Sequence, residues 1–340
     1  MAAPRGTSGL SLIVGVNKPA GMSSHDVVNR VRRIFGERRV GHTGTLDPLA
    51  TGALAVCIGP ATRLDHYLTG HDKVYRVHIV FGVQTETDDA AGEILETAPV
   101  PDEVFDPFFA QNFVQSLVGS HKQLPPVYSA IKVDGKRSYK AARAGTIIDL
   151  APRAIEIYAA HLVGIEEADA TGAPAWDVDV HVSKGTYIRS LARDIGVALG
   201  TRAYVGGLQR TRVGDLALED CVDLDVLETL GARAALDPVK LLGLRVMFAD
   251  AQQAEAIGFG KALCAQECSF YTAPRFADAA FELCACSNGL QQASEPLADG
   301  EIVCVVAQNV LAALYVYDKQ AAVLRPRCIF AVGVCRGAGI

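Results

Sequence analysis

Residues 41–54 place one acidic residue, Asp47, among three glycines, three threonines and a proline. The glycines permit backbone angles that other residues avoid, and Pro48 fixes the chain directly after the acid. Rigid loops that carry one charged group are common positions for catalysis. A second interpretation is equally open at this point, in which Asp47 only bonds the backbone of its own tight turn.

A second candidate region is strongly basic. Residues 122–143 contain one acidic residue, Asp134, and two interleaved tyrosines, Tyr128 and Tyr139. Their basic residues are Lys122, Lys132, Lys136, Arg137, Lys140 and Arg143. This composition suits a phosphate backbone with unstacked bases nearby. A solvated surface is the commoner explanation for a single charge run, so this pattern alone does not decide between them.

The length and charge of the chain constrain its class. Its 340 residues predict two domains, and half of them are hydrophobic, enough for a sizeable core. The net charge of −6 argues against a nucleic-acid partner, but residues 216–340 carry all of it, with 9 basic and 15 acidic side chains. No apolar run is long enough for a signal-peptide core or a membrane span, which predicts a cytoplasmic protein.

The nine cysteines lack the spacing of a disulfide framework, and eight of them lie from Cys221 onward. Cys264 and Cys268 are spaced as one half of a zinc site, but no second pair with suitable spacing accompanies them. We therefore predict reduced, partly buried thiols and no metal.

Periodicity indicates the elements that position these residues. A strand is expected at 11–16, followed by a helix that Ser23 or Ser24 caps and Gly36 ends. Residues 74–81 alternate as a strand with Tyr75 on the apolar face, where a plain core tyrosine is the simpler interpretation. Residues 176–182 alternate in the same way, and the chain then changes from strand to helix between Lys184 and Arg189.

The composition shifts beyond about residue 235, where cysteines and alanines become more frequent. Short strands are expected at 301–306, 310–317 and 327–334. The pattern predicts a small β-rich second domain that begins near Asp237-Pro238.

Six segments, taken together and in order, resemble the motifs of the TruB pseudouridine synthases. The segment Gly-His-Thr-Gly-Thr-Leu-Asp-Pro-Leu-Ala-Thr-Gly at 41–52 resembles the family's nucleophile motif. The others are residues 18–24, 73–77, 123–132, 183–189 and 208–210. The resemblance covers roughly residues 11–216, and six ordered motifs are far more specific than one.

The resemblance implies an α+β pseudouridine synthase fold, with a mixed, mostly antiparallel sheet, flanking helices and an RNA-binding insertion. The catalytic domain is expected at 1–236, with the insertion at about 120–152, and a PUA-like C-terminal domain at 237–340. The implied activity is that of a tRNA pseudouridine(55) synthase, an isomerase that converts the T-loop uridine of tRNA to pseudouridine. No cofactor, metal, membrane or protein partner is implied, and the expected enzyme is a cytoplasmic monomer that binds the tRNA T-stem-loop.

The resemblance also assigns roles to single residues. Asp47 is implied as the catalytic carboxylate, which adds to the base or acts on the sugar; the sequence does not choose between these routes. Arg189 is implied as its partner, and His42 as the residue that fills the space of the flipped base. The other expected substrate-binding residues are Tyr75, Tyr187, Leu208 and, as support of the site, Lys18. The expected contacts to the RNA backbone are Lys132, Lys136, Arg137, Lys140 and Arg143.

Two other functions are compatible with parts of the sequence. A tRNA-folding chaperone would need the same RNA-binding surface, with catalysis secondary or absent. A carboxylate-dependent hydrolase of a small substrate would account for Asp47 but not for the basic insertion.

Overall fold

The computed structural model describes residues 8–128, 132–133, 136–137, 150–272 and 290–337. The chain forms two compact units. The first comprises Met1–Pro48, Gly52–Gly70 and Arg212–Ile340, and the second comprises Leu49–Thr51 and His71–Thr211. This grouping differs from a division at 236/237, which stays a prediction.

The first unit begins with a small antiparallel sheet covered by a helix. Its elements are β1 (Leu12–Lys18), α1 (Ser24–Phe35), β2 (Val40–His42), β3 (Thr51–Ile58) and α2 (Asp65–Thr69). Strand β3 pairs with both β1 and β2. Alternate β1 residues, such as Leu12 and Val14, pack with Val27 and Val31 of α1.

Helix α1 has the predicted start and stop. Ser23 is its N-cap and forms a capping box with Asp26, and Gly36 ends it in the left-handed conformation at φ 58°. Both expectations for this helix are confirmed.

The second unit contains a sheet in the order β12-β4-β11-β10-β7, in which β4, β11, β10 and β7 are successively antiparallel. Its elements are β4 (Lys73–Phe81), β5 (Val83–Thr85), β6 (Ile94–Thr97), α3 (Pro107–Ser116), β7 (Gly119–Gln123), β8 (Lys132–Val133), β9 (Lys136–Arg137), β10 (Arg153–Glu166), β11 (Ala175–Val182), α4 (Ile188–Ala198) and β12 (Ala203–Val213).

The predicted alternation on β4 and β11 is confirmed. Tyr75, Val77 and Ile79 are buried, and so are Trp176 and Val178, because these side chains share the covered face of the sheet. Polar side chains on the opposite face include Arg76, His78, Asp177 and Asp179. The expected change from strand to helix is confirmed, because α4 begins at Ile188.

The first unit continues with β13 (Leu216–Ala217), α5 (Leu224–Leu230), β14 (Ala235–Leu236), α6 (Pro238–Leu242), β15 (Arg245–Phe248), α7 (Ala251–Gly258), β16 (Leu263–Cys264), β17 (Phe270–Thr272), β18 (Gln291–Gln292), β19 (Ile302–Ala307), β20 (Val310–Asp318) and β21 (Val323–Cys335). Strand β14 pairs with β1. The strands from β15 onward form a seven-stranded sheet in which β15 and β19 are parallel. Strands β19, β20 and β21 confirm the three predicted near the C-terminus.

A single apolar cluster joins β1 and β3 to this C-terminal sheet within the first unit. Ile13, Ala55 and Cys57 pack with residues that include Cys304 and Leu314. A buried ion pair supports the same region, because Arg336 Nη2 lies 2.8 Å from Asp237 Oδ2. In the described ranges, no helix is both long and apolar enough to cross a bilayer.

Candidate active site

The loop that carries Asp47 is held on both sides of the acid. The Ser24 hydroxyl accepts a hydrogen bond from Leu46 N at 2.8 Å and lies 3.0 Å from Leu46 O, to which it donates. On the other side, Gly21 N donates to Pro48 O at 2.9 Å. Asp47 itself is half-buried. Because both neighbours of the acid are fixed, its carboxylate is presented from a rigid backbone.

Lys18 explains why residues 18–24 accompany this loop. Its side chain is fully buried at the end of β1, and Nζ donates to Met22 O at 2.6 Å and Pro19 O at 2.9 Å. Nζ also lies 3.4 Å from Pro48 O. An ammonium group bonded to carbonyls of both segments connects residues 18–24 to the Asp47 loop, and its role in catalysis stays a prediction.

The loop glycines act in two different ways. Gly44 and Gly52 have φ of 108° and 103°, which β-carbon-bearing residues rarely adopt. Gly41 instead permits a close approach, since a Cβ there would lie 2.5 Å from Asp65 Oδ2. The expected backbone freedom is thus confirmed at two of the three positions.

His42 is half-buried at the end of β2, where its Cα pairs with that of Val56. The preceding pair, Gly41 and Cys57, faces Asp65 at the start of α2. Burial raises the pKa of the Asp65 carboxyl from its ordinary value of 3.8 to about 6, against the opposing effect of the Cys57 thiol hydrogen bond. A partly desolvated acid therefore lies directly behind the strand that leads to Asp47.

The other expected site residues belong to the second unit. Tyr75 is buried on β4 opposite Val180, and Tyr187 is the half-buried N-cap of α4. Leu208 lies half-buried on β12, and its carbonyl accepts a hydrogen bond from Thr51 Oγ1 at 3.5 Å. Thr51 belongs to the motif that contains Asp47, so the end of that motif is attached to the strand of Leu208.

Arg189 lies in the first turn of α4 with its side chain buried. Its Nη1 donates to Thr87 O and its Nη2 to Tyr128 O, both at 3.0 Å, and Nε lies 3.8 Å from Asp89 Oδ2. The guanidinium is therefore fixed from several directions, as a group that must hold a defined orientation requires. Arg189 and Asp47 lie in different units, and their pairing remains a prediction.

Two sets of residues around the site are not indicated by the sequence patterns. Those patterns identify Ser24 only as a possible helix cap, whereas its hydroxyl holds Leu46. They do not single out Asp88 and Asp89, although two adjacent acids ahead of Gly92 are an unusual turn sequence. Both sets contact residues distant in the sequence, which periodicity does not reveal.

The five expected RNA-backbone contacts lie outside the described side chains. Lys132, Lys136 and Arg137 belong to the two short strands β8 and β9, which pair with each other. Lys140 and Arg143 lie outside the described residues.

Three neighbouring side chains of the second unit form a group that could hold a metal ion. The ligating atoms of His78, Glu166 and Asp177 lie within 4.8 Å of one another. His78 Nδ1 is 2.9 Å from Asp177 Oδ1, so the imidazole already has a carboxylate partner. The described cysteines are all free thiols, and Cys268 Sγ donates to the Cys264 carbonyl at 3.2 Å.

Comparisons with known proteins agree with these features. Residues 32–188 match the model of the TruB family pseudouridylate synthase N-terminal domain, and residues 189–242 that of the tRNA pseudouridylate synthase B C-terminal domain. The tRNA pseudouridine synthase B of Thermobifida fusca (strain YX) is 45% identical over 239 residues, covering 68% of this chain and 81% of that protein. The protein of the same name from Mycobacterium sp. (strain KMS) is 45% identical over 255 residues, covering 74% and 84%.

Solved structures provide a likeness of fold. The crystal structure of a Cbf5-Nop10-Gar1 complex matches with a TM-score of 0.66 at 22% identity, covering 97% of this chain and 87% of that chain. An H/ACA RNP bound to a substrate RNA containing 2'-deoxyuridine matches with a TM-score of 0.65 at 21% identity, covering 95% and 86%.

The fold is that of the pseudouridine synthases, which confirms the predicted α+β class, its mixed sheet and its β-rich C-terminal region. Within that class, the two family models and the relatives at 45% identity identify the narrower group. The chain belongs to the TruB family.

Proposed function

We propose that this protein isomerises a uridine of tRNA to pseudouridine, and that its target is the T-loop uridine at position 55. Membership of the TruB family supports the reaction. The observation that carries the site is the loop in which Leu46 and Pro48 are both held, so that Asp47 is presented without freedom of its backbone.

In the proposed reaction, uracil leaves C1′, rotates and rejoins through C5. No electrons are gained or lost and no group is transferred, so the chemistry calls for a positioned carboxylate and a base pocket. We assign the carboxylate to Asp47, acting either on the base or on the sugar. The target base lies inside the tRNA elbow and must be extruded first, and we assign His42 to the space that it leaves.

The remaining assignments follow the resemblance to the motifs of the TruB family. Tyr75, Tyr187 and Leu208 are proposed to form the base pocket, and Arg189 to hold the Asp47 carboxylate. Lys18 is proposed to act only through the loop, because its fully buried ammonium group is occupied by carbonyls. The basic residues Lys132, Lys136, Arg137, Lys140 and Arg143 are proposed to bind the phosphates of the T-stem-loop.

The proposal includes a monomeric, cytoplasmic enzyme that acts without a protein partner. Size-exclusion chromatography with light scattering tests the first of these statements, and reconstitution from purified protein and a tRNA transcript tests the last. Stable dimers, or activity only after a cell extract is added, would contradict them.

The central test is release of tritium from a tRNA transcript labelled at uridine C5. We expect the wild type to release the label and Asp47→Asn to release none while still binding tRNA. Release by the variant at the wild-type rate would remove Asp47 from its role. Tight binding without any release by the wild type would favour an RNA chaperone.

Arg189→Ala separates catalysis from binding when the rate of tritium release is compared with the affinity for tRNA. Loss of a guanidinium that acts on the carboxylate is expected to lower turnover far more than affinity. If affinity fell in step with the rate, Arg189 would instead be an RNA contact.

A further inference from the structure

Helix α4 anchors the segment that leads into the predicted RNA-binding insertion. Ser190 Oγ and Arg193 Nη2 both donate to Leu124 O, at 2.9 and 3.0 Å. One turn earlier, Tyr187 N donates to Gln123 Oε1 at 2.8 Å, and Gln123 Nε2 donates back to Tyr187 O at 3.0 Å. Residues 123–128, near the start of the insertion, are therefore bonded to the first two turns of α4.

The same helix turns also hold a tight acidic turn, residues 85–92. Arg193 Nη1 donates to Asp88 Oδ2 at 3.0 Å, while Arg189 contacts Thr87 O and lies near Asp89. Two arginines four positions apart on α4 thus face two consecutive aspartates. Because Asp88 and Asp89 are adjacent, a shift of Asp88 also moves Asp89, whose carboxylate lies beside Arg189.

Asp88 is held in an unfavourable state. Its φ is +56°, a left-handed conformation that costs free energy in a residue other than glycine, and its side chain is buried. Burial raises the pKa of the Asp88 carboxyl, and the Arg193 guanidinium is the largest opposing influence. A buried carboxylate of this kind depends on its cation, since an unpaired charge in such a position is costly.

Arg193 suits this position because its donors point in different directions. Nη1 reaches the acidic turn, Nη2 reaches Leu124 O, and Nε lies 3.0 Å from Asp194 Oδ1. The rigid planar guanidinium fixes the two segments relative to each other, which a lysine with one point charge would not do.

We propose that Arg193 is a positioning residue, which bridges Asp88 and the Leu124 carbonyl and thereby fixes the Asp89–Arg189 pair relative to the start of the RNA-binding insertion. The assignment rests on the proposed function, in which Arg189 contributes to catalysis. It extends that function by connecting RNA binding at the insertion to the geometry of the catalytic arginine.

The bridge itself is tested without activity, by amide hydrogen exchange of the purified full-length chain. Arg193→Gln is expected to accelerate exchange in both 85–92 and 123–128. In the double variant Asp88→Asn/Arg193→Gln, protection of 85–92 should recover, because an asparagine needs no cation and tolerates positive φ. The matched control is Arg202→Gln, which removes another two-pronged arginine pair, to Glu96, from the same unit. Unchanged exchange in Arg193→Gln, or equal effects in the control, would overturn the bridge.

The catalytic consequence is tested by single-turnover tritium release and by tRNA affinity. Arg193→Gln should lower the rate about tenfold, since small misplacements of a catalytic group are costly, with affinity changed less than about threefold. The double variant should recover most of that rate, and Arg193→Lys should lie between Arg193→Gln and the wild type.

The outcomes separate this inference from the proposed function. A wild-type rate in Arg193→Gln, or no recovery in the double variant, would overturn the role through Asp88 even if Asp47→Asn is inactive as proposed. Absence of release by the wild type would overturn the proposed function and the catalytic part of this assignment, while exchange would still decide whether Arg193 forms the bridge. If Arg193→Gln does not fold, Arg193→Lys and Asp88→Asn provide the same two measurements.

Discussion

At the scale of single residues, two buried side chains fix the backbone of the loop that carries Asp47. The Ser24 hydroxyl bonds both polar backbone groups of Leu46. The Lys18 ammonium group contacts the carbonyls of Met22 and, within the loop, Pro48. If Asp47 is the catalytic carboxylate as proposed, we expect both residues to affect the rate through its position. Substitutions of adjacent residues distinguish such an effect from ordinary stabilisation, when both the stability and the rate of each variant are measured.

The adjacent substitutions Ser24→Ala and Ser23→Ala allow this comparison. Ser24→Ala leaves two buried backbone groups of Leu46 without their partner, at a cost of about 1–3 kcal/mol, and should slow tritium release about tenfold. Ser23→Ala removes only the cap of α1, at a cost of about 1 kcal/mol, and should leave the rate near that of the wild type. Thermal unfolding and single-turnover release give the two quantities, and equal rates for both variants would exclude a specific role for Ser24.

The raised pKa of Asp65 predicts that the stability of the protein depends on pH. Its folded-state pKa of about 6 lies above its ordinary value of 3.8, so the folded protein binds the proton more tightly than the unfolded chain. The wild type should therefore lose stability as the pH rises from about 4 to 6, and the penalty is complete above pH 6. Two pKa units correspond to about 3 kcal/mol, and partial exposure to solvent reduces our expectation to about 1–2 kcal/mol.

Asp65→Asn lacks this titration and should be more stable than the wild type at pH 8 but not at pH 4. Thermal unfolding at the two pH values measures the difference, expected as roughly 2–5 °C. Asp225→Asn is a control, because that side chain is 95% exposed. A variant whose advantage is the same at both pH values would contradict the assignment of a raised pKa.

At the scale of elements, helix α4 can lie close to β12 because residue 196 is a glycine. A Cβ at this position would lie 2.5 Å from Ala203 N and 2.8 Å from the Arg202 carbonyl carbon, both backbone atoms. Thr201 N also donates to Gly196 O at 2.9 Å. The helix that carries Arg189 is thereby placed against the strand that carries Leu208.

Gly196→Ala should consequently destabilise the protein, although alanine is the better helix former by about 1 kcal/mol. The close approach to rigid backbone should outweigh this and cost about 1–3 kcal/mol, with a loss of turnover as α4 shifts. Gly258→Ala in α7 is the matched control, since nothing lies within 4 Å of a Cβ there, and it should be neutral or slightly stabilising. Urea unfolding of both variants would contradict this explanation if Gly196→Ala were the more stable.

At the scale of the whole molecule, the charge is unevenly distributed along the sequence. The net charge of −6 comes from residues 216–340, while the basic residues of 122–143 occur in a half with no net charge. We expect RNA binding to follow the local charge, because phosphate contacts release counterions wherever lysine and arginine meet the backbone.

Binding of tRNA should therefore weaken steeply with salt despite the negative net charge. Lys140→Gln with Arg143→Gln should reduce the slope of log affinity against log salt by roughly one for each lysine or arginine that binds a phosphate in the wild type. Lys319→Gln with Arg327→Gln removes the same charge from the acidic C-terminal stretch and should change the slope little. Filter binding across a salt series makes the comparison, and equal changes would place the phosphate-binding residues in both halves.

The sequence by itself indicated several of the elements and singled out the loop that carries Asp47. Alternation on β4 and β11, the Ser23 and Gly36 signals of α1 and the strands β19–β21 are local patterns, because side-chain periodicity follows backbone geometry. The six ordered motifs likewise indicate the family without any tertiary contact.

Only the tertiary structure decided how the Asp47 loop and the Arg189 side chain are held. Ser24 meets Leu46 across 22 residues, and Arg193 meets Asp88 across 105, so no local pattern reports either contact. The structure also explains Gly41, which is required by the nearby Asp65 carboxylate rather than by an unusual φ. These features depend on which elements pack together, and packing brings together residues whose spacing along the chain carries no signal.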